Sequence, residues 1–559
     1  MSGKGRANWS RWCAVALTGM ALLLVTFLPA NAASQAQWRF WGEGQQVGTT
    51  TDGYGIYQGS IKYINSTNPS PSAVKTLAPS TPTAPPAVFL SDGKNFEGHY
   101  IPSAGISWNS SPPGQMTGLM PSYFFYMQGG KIYRVSTVVG TDSAPVPVQI
   151  SKESKITAPY ICRVNTLIDW SNASESAIYY QLTGQGGKCS DSLNKMVTLN
   201  MENAAAPILT GSIYPTGILL NGWYGAVDTS TKPYTVEICP NSSLTSCTTT
   251  GHFTNLSLSA VYSMDNTRFV GTLDGILGYY TYSGANKGNY GILYIPGSSE
   301  LVSDAKIDSG GTVYFEVVGT GTQTTYTNSI MKVAVPVSGN AETVITLAQV
   351  PTVKPINSLN LSLTPSYVFF SVPNGATARG SNDGAFAYSV LKSNSSKTTP
   401  NTLAQAYVNG GAITDWFYYE DSLGHVTRVG LDGKNSTSLP GPGLMIGASY
   451  GGTGNWFDDF DPQGTPYVIV YTGGNLESFA YGKALTSGGT NLGPFPINLS
   501  NPTTMQFGDK MLGSAERRDC DYSKNRDVFF IDPTSAGSFA RLSDDNTAKA
   551  VSKAKVGND

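Results

Sequence analysis

The sequence predicts an all-β protein built from repeated antiparallel hairpins, and three observations carry that expectation. Turn and strand formers outnumber helix formers, apolar residues alternate with period two, and one local pattern returns along the chain. Charged residues make up only 13% of the 559 residues, against 62 glycines and 31 tyrosines. Such a composition is poor in the Glu, Lys and Arg that stabilise exposed helices and rich in the residues that make tight turns.

The amino terminus reads separately from the rest. Lys4, Arg6 and Arg11 precede an apolar run from Cys13 to Leu28, and Ala30-Asn31-Ala32 offers the small residues that a signal peptidase accepts. The run is shorter than the ~20 residues of a membrane span. Residues 1–32 are therefore expected to be a cleaved signal peptide that sends the chain to the periplasm or the extracellular surface. Later apolar stretches are each broken within a few residues by Gly, Ser, Asn or a charge, so no transmembrane span is expected in the mature chain. Residues 33–543 are expected to form one domain, and 544–559 a flexible polar tail, frayed or briefly helical.

Within 33–543 the recurring unit is an aromatic strand, a Gly-containing turn, a second alternating strand and a polar loop. It reads YFFYMQGGKIYRVS from Tyr123, TVYFEVVG from Thr312 with IMKVAVPVSGN from Ile330, and SYVFFSVPNG from Ser366. It returns as WFYYEDSLGHVTRVGLDG from Trp416, YVIVYTGG from Tyr467 and DVFFIDP from Asp527. Aligning Tyr126, Tyr180, Phe315, Phe370, Tyr419, Val470 and Phe530 gives steps of about 50 to 60 residues, with one long gap that holds two or three more units. One such sheet cannot bury both faces alone, whereas sheets stacked radially bury them against each other. The expected architecture is a β-propeller of seven or eight four-stranded blades. The competing arrangement is two stacked β-domains, with the Pro/Ser/Thr-rich stretch 65–86 as linker.

Tyr418-Tyr419-Glu420-Asp421, then Arg428, Leu431-Asp432-Gly433 and Asn435, resembles the YWTD repeat of propellers and is also similar to the TolB-type envelope propellers. The resemblance is clear from Trp416 to Leu439 and partial from Tyr123 to Ser136. The resemblance implies the fold and a protein- or ligand-binding role. Read from the residues alone, Leu431-Asp432-Gly433 is a turn that ends a strand.

Several patterns bear on chemistry. Gly447-Ala448-Ser449-Tyr450-Gly451 resembles the serine elbow of prolyl-oligopeptidase-type enzymes. That elbow needs a strand-turn-helix setting and a histidine after the serine. His99, His252 and His425 all precede Ser449, so no catalytic residue is assigned. Asp459, Asp461 and Gln463 match the first half of a calcium loop, whose alternating oxygens suit a hard cation, and calcium is the one cofactor the sequence suggests. The loop lacks the acidic residue at its twelfth position, which is Val470. Trp223, Trp416 and Trp456 lie near loops and are candidates for ligand stacking. Arg517 and Arg518, in the densest charge cluster of the mature chain, are candidates for binding an anion.

Export makes disulfides the expectation for the cysteines. Cys239 and Cys247 are spaced to staple a hairpin, Cys162 and Cys189 to tie adjacent strands, and Cys520 is left over, either as a buried free thiol or for a bridge to another chain. Lys plus Arg, 35, balances Asp plus Glu, 37, which argues against nucleic acid as a partner. The function expected is a non-enzymatic binding scaffold with a protein or glycan partner. The alternatives are a carbohydrate-active enzyme with carboxylates at a central channel, or a structural subunit of a surface assembly.

Overall fold

The computed structural model describes residues 38–49, 55–78, 87–91, 123–128, 131–136, 139, 144–149, 161–167, 177–183, 189–198, 208–209, 213–220, 223–228, 234–240, 248–255, 261–264, 267–273, 275–308, 310–377, 384–413, 415–449, 467–486, 488–496, 499–507, 510–517 and 526–542. Contacts divide the chain into 1–35 and 36–559, and every described residue belongs to the second unit. The described residues contain strands and short 3-10 turns, with no α-helix.

Hydrogen bonding orders the strands into antiparallel sheets. Sheet A holds β1 (Trp38–Thr49), β2 (Gly55–Asn65), β3 (Lys75–Ala78), β4 (Ala87–Ser91), β5 (Tyr123–Gln128), β6 (Lys131–Ser136) and β7 (Pro147–Gln149). Sheet B is β8 (Ile161–Leu167), β9 (Ala177–Thr183), β10 (Cys189–Thr198) and β11 (Ile208–Leu209). Sheet C is β12 (Ile213–Leu220), β13 (Trp223–Asp228), β14 (Tyr234–Pro240) and β15 (Thr248–Asn255). Sheet D is β16 (Val261–Met264), β17 (Arg268–Leu273), β18 (Ile276–Thr281) and β19 (Tyr290–Tyr294). Sheet E is β20 (Glu300–Ile307), β21 (Thr312–Gly319), β22 (Tyr326–Ala334) and β23 (Ile345–Thr352). Sheet F runs through β24 (Ser362–Leu363), β25 (Tyr367–Pro373), β26 (Ala385–Leu391), β27 (Asn401–Ile413), β28 (Trp416–Asp421), β29 (Val426–Gly430) and β30 (Thr437–Ser438). Sheet G is β31 (Gly443–Ser449), β32 (Tyr467–Thr472), β33 (Asn475–Ala480) and β34 (Thr490–Pro494). Sheet H is β35 (Leu499–Phe507), β36 (Lys510–Arg517), β37 (Arg526–Ile531) and β38 (Ala540–Arg541).

Each four-stranded sheet is a meander, its strands hydrogen-bonded in chain order. Sheet F is two meanders that share β27: Asn401 to Tyr407 pair with β26, and Tyr407 to Ile413 pair with β28. The turns follow the local sequence. In Thr472-Gly473-Gly474-Asn475 the two glycines take φ of 56° and 84°, the left-handed pair that a two-residue hairpin needs.

Alternation along a strand sends its two faces to two different neighbours. On β21, Val313, Phe315 and Val317 pack with Val270 and Tyr279 of sheet D. Tyr314 and Val318, between them in sequence, pack instead with Val368 and Phe370 of β25. On β28, Phe417 packs toward β25 and Tyr418 toward Val468 and Val470 of sheet G. On β37, Phe529 and Ile531 face sheet G, whereas Val528 and Phe530 face Trp41 and Ile64 of sheet A. The other face of that hairpin, Trp38, Phe40, Ile61 and Tyr63, packs on Val135 of β6. Sheets D to H thus stack face to face in chain order, and β1–β2 lies between β37 and β6. Both faces being buried explains why β21, β25, β28 and β32 are nearly continuous in Val, Ile, Phe and Tyr.

The outer edges of β19, β23 and β34 are each covered by the third-to-fourth-strand turn of the next meander, which keeps these edges from pairing with other chains. On β19, Ile292 donates its N–H to Asn340 Oδ1 (3.0 Å) and accepts from Ala341 N–H (2.8 Å). On β23, Leu347 O accepts from Thr398 N–H, and on β34, Asn491 O and Leu492 O accept from Gly537 and Phe539. Gly291 shows how close this approach is, since a Cβ there would sit 1.8 Å from Gly339 O. Gly291→Ala is expected to cost ~1–3 kcal/mol, read as a lowered urea midpoint, because the turn must lift off β19.

Candidate functional site

The second strands carry an anomaly for so apolar a core: Glu316 within TVYFEVVG and Glu420 within WFYYED. Glu316 is fully buried. It accepts hydrogen bonds from Ser303 Oγ (2.7 Å) on β20 and from Leu359 N–H (3.0 Å), just ahead of β24. Burial pushes its carboxyl above the ordinary glutamate value, with bonds from Ser358, Ser303 and Leu359 opposing. Glu420 is buried too and accepts from Met445 N–H (3.0 Å) on β31, and burial again raises it. At two successive kinds of junction, therefore, a second-strand carboxylate holds the start of the next meander.

A second cluster spans β28, β29 and the turn after β33. Arg428 is buried, and its guanidinium lies over the Trp416 ring at 3.8 Å. It donates through Nη2 to Asn435 O (3.0 Å) and through Nη1 to Gly482 O. Gly482 N–H donates to Tyr418 Oη (2.7 Å), and Tyr481 Oη donates to Trp416 O (3.0 Å). Burial pushes the Tyr418 hydroxyl up to about 12. These groups fasten the β33–β34 turn to the preceding meander. Arg541 and the buried Asp527 carboxylate pair in the last sheet.

At the exposed β28–β29 turn, Asp421 accepts from Leu423 N–H, His425 N–H and the His425 ring, each at 2.9 Å. Partial burial alone would raise its carboxyl, but these bonds and the imidazole outweigh it and hold the value below normal. Asp421→Asn is expected to remove a stabilising contribution that is present above the unfolded carboxylate value and is lost as pH falls through the folded one. Thermal melts from neutral to acid pH check this, with parent and variant converging at low pH.

The expected site residues fall as follows. Trp416 opens β28, half-buried, with its ring face against Arg428 and Gly482 beside its Nε1 edge. Trp223 opens β13, paired with Leu220 and Pro240. Arg517 closes β36 opposite Leu499, and Ser449 closes β31 opposite Tyr467. Cys162 is on β8 and Cys189 on β10, with β9 hydrogen-bonded between them, so the two are not on adjacent strands as expected. Cys239 is on β14, one residue past Ile238, whose partner on β15 is Thr248. Cys247, Trp456, Asp459, Asp461, Gln463, Arg518 and Cys520 lie outside the described residues. Among the described residues, no three His, Cys, Asp or Glu side chains gather as metal ligands, and no helix is long and apolar enough to cross a membrane.

Leu431-Asp432-Gly433 is a turn, as its residues imply. Gly433 has φ of 77° and donates to Gly430 O, while Asp432 Oδ1 accepts from Lys434 N–H. The roles of Glu316, Glu420 and Arg428 were not assigned from sequence. Glu420 and Arg428 stand in the YWTD-like pattern, whereas Glu316 is marked locally only by its charge inside an apolar strand.

No protein-family model matches the chain, and no curated protein does. Among solved structures, apo AztD from Citrobacter koseri is 11% identical over 73% of this chain and 96% of its own, with a TM-score of 0.30. The β-propeller domain of the Trilobed protease from Pyrococcus furiosus is 12% identical over 69% of this chain and 98% of its own, TM-score 0.28. A prolyl endopeptidase is 9% identical over 65% of this chain and 54% of its own, TM-score 0.34. The chain is all-β, in several antiparallel sheets; that assignment rests on the hydrogen-bonded order and the packing described above.

Proposed function

We propose that this protein is an exported β-propeller that serves as a protein- or glycan-binding scaffold in the cell envelope or outside the cell. The observation that carries the reading is the stacking of successive meanders, β21, β25, β28 and β32 each giving their two faces to two neighbours, with β1–β2 between β37 and β6. Each meander is then a blade. The buried charges support the binding role, because Glu316, Glu420 and Arg428 are spent on joining meanders and recognition is left to the loops.

Cross-linking in the native envelope followed by mass spectrometry tests this. Reproducible cross-links from loop residues to one partner or glycan-bearing component are expected. Recovery of no partner, or cleavage of a glycan by the purified protein, would overturn the scaffold reading.

A further inference from the structure

Sheet F passes from one meander to the next differently from the junctions beside it. Between β19 and β20 the chain uses the link 295–299, between β23 and β24 the link 353–361, and between β30 and β31 the link 439–442. Within sheet F there is no link. β27 is handed from β26 to β28 at Tyr407, which pairs with Ala385 on one side and with Asp421 on the other.

Irregular pairing makes this change of partner. Gln405 and Ala406 together face Phe386, Leu403 is extra between the pairs Ala404–Ala387 and Thr402–Tyr388, and Val408 is extra against β28. Each bulge bends and twists the strand that carries it. The burial shows the effect: Leu403 and Ala404, neighbours in sequence, are both buried, whereas Val408 is half exposed. Ala406 bears the strain. Its φ is 54°, in the left-handed region where a bulge ordinarily has glycine and where a Cβ is crowded. The chain beside it is hemmed in as well, since Gly384 takes φ of 76° and a Cβ there would lie 2.6 Å from Ala406 C and 2.7 Å from Tyr407 O.

The fastening across this junction also differs. The fifth residues of β21 and β28 are Glu316 and Glu420, each of which accepts a backbone N–H from the start of the next meander. The fifth residue of β25 is Ser371, which meets the Tyr407 hydroxyl instead, side chain to side chain. At the start of β27 the two meanders are joined more firmly, because Leu431 O accepts from Asn401 Nδ2 (3.0 Å) and from Ser389 Oγ.

We propose that residues 405–408 are a strained hinge: this corner opens locally, releasing Ala406 from its left-handed conformation, while the bonds at Leu431 hold the two meanders together. Opening relaxes Ala406, so the strain stored in the closed corner lowers the free energy of opening there and not in β21 or β22. The hinge requires neither a closed propeller nor a binding role.

Substitution at 406 tests this, because an ordinary strand position favours Val over Ala over Gly and a left-handed one has the reverse order. Hydrogen exchange read by mass spectrometry supplies the local measurement. In the parent, amides of Ala385–Ala387 and Tyr407–Asn409 are expected to exchange about tenfold faster or more than those of β21 and β22. Ala406→Gly is expected to slow the corner about threefold and Ala406→Val to speed it about tenfold, with β21 and β22 unchanged in both. Should Ala406→Val fail to fold, the parent and Ala406→Gly decide alone. Faster or unchanged exchange of the corner in Ala406→Gly would overturn the proposal. So would equal exchange of the corner and β21–β22 in the parent, or a change shared evenly by both regions.

Discussion

Replacing Glu316 with alanine is expected to lower the unfolding free energy by roughly 3–5 kcal/mol, the largest effect of any single change described. The cost has two sources: Leu359 N–H and Ser303 Oγ lose their acceptor inside a buried junction, and the packing beside β21 loses volume. Glu316→Gln keeps the shape and one acceptor oxygen, so it should cost far less, on the order of 1 kcal/mol. The pair of variants separates loss of the bond from loss of the charge. Burial raises the folded value of both Glu316 and Glu420 above the ordinary 4.5, so folding takes up protons there. Their favourable contribution is complete below the unfolded value and is lost as pH rises through the folded one. Urea midpoints of the parent should therefore rise on acidification from neutral pH through that window, and Glu316→Gln should flatten the rise.

Arg428→Ala is expected to cost about 3 kcal/mol and to free the β33–β34 turn. The guanidinium joins three elements by stacking on Trp416 and donating to Asn435 O and Gly482 O, and alanine would leave both carbonyls without it. Arg428→Lys should recover little, because an ammonium cannot stack flat on the indole while reaching two carbonyls in a fork. The informative readout is local: amides of Gly482 and Leu485 should exchange faster in both variants while β21–β22 keeps its protection. Unfolding of the whole chain in step would instead mean that the cluster is not a separable fastening.

Much of this was legible in the sequence because it is local. The hairpins β5–β6, β21–β22, β28–β29 and β32–β33 declare themselves through period-two strands and their turns, and the long gap in the repeat holds sheets C and D. Phe530 was aligned with second-strand aromatics but sits on the third strand of its sheet, since both central strands of a meander are buried and look alike. The sharing of β27 left no mark, because an outer and an inner strand differ only in what lies beside them. Cys162 and Cys189 were placed on neighbouring strands by spacing alone, and the intervening β9 was not counted. Trp416 read as a loop residue, yet its ring lies against a guanidinium twelve positions away in sequence. The junction bonds are the least legible feature. Glu316 to Leu359, Glu420 to Met445 and Tyr418 to Gly482 span 43, 25 and 64 positions, and no local pattern encodes a partner at that distance.

The hairpin β1–β2 packs on β37, near the other end of the strand series. A double-mutant cycle between Trp41→Ala and Phe530→Ala, both in that shared cluster, tests it most directly. Denaturation free energies of the parent, the two single variants and the double variant should show a coupling of about 1–2 kcal/mol, as for large side chains in contact. Strict additivity of the two losses would contradict it.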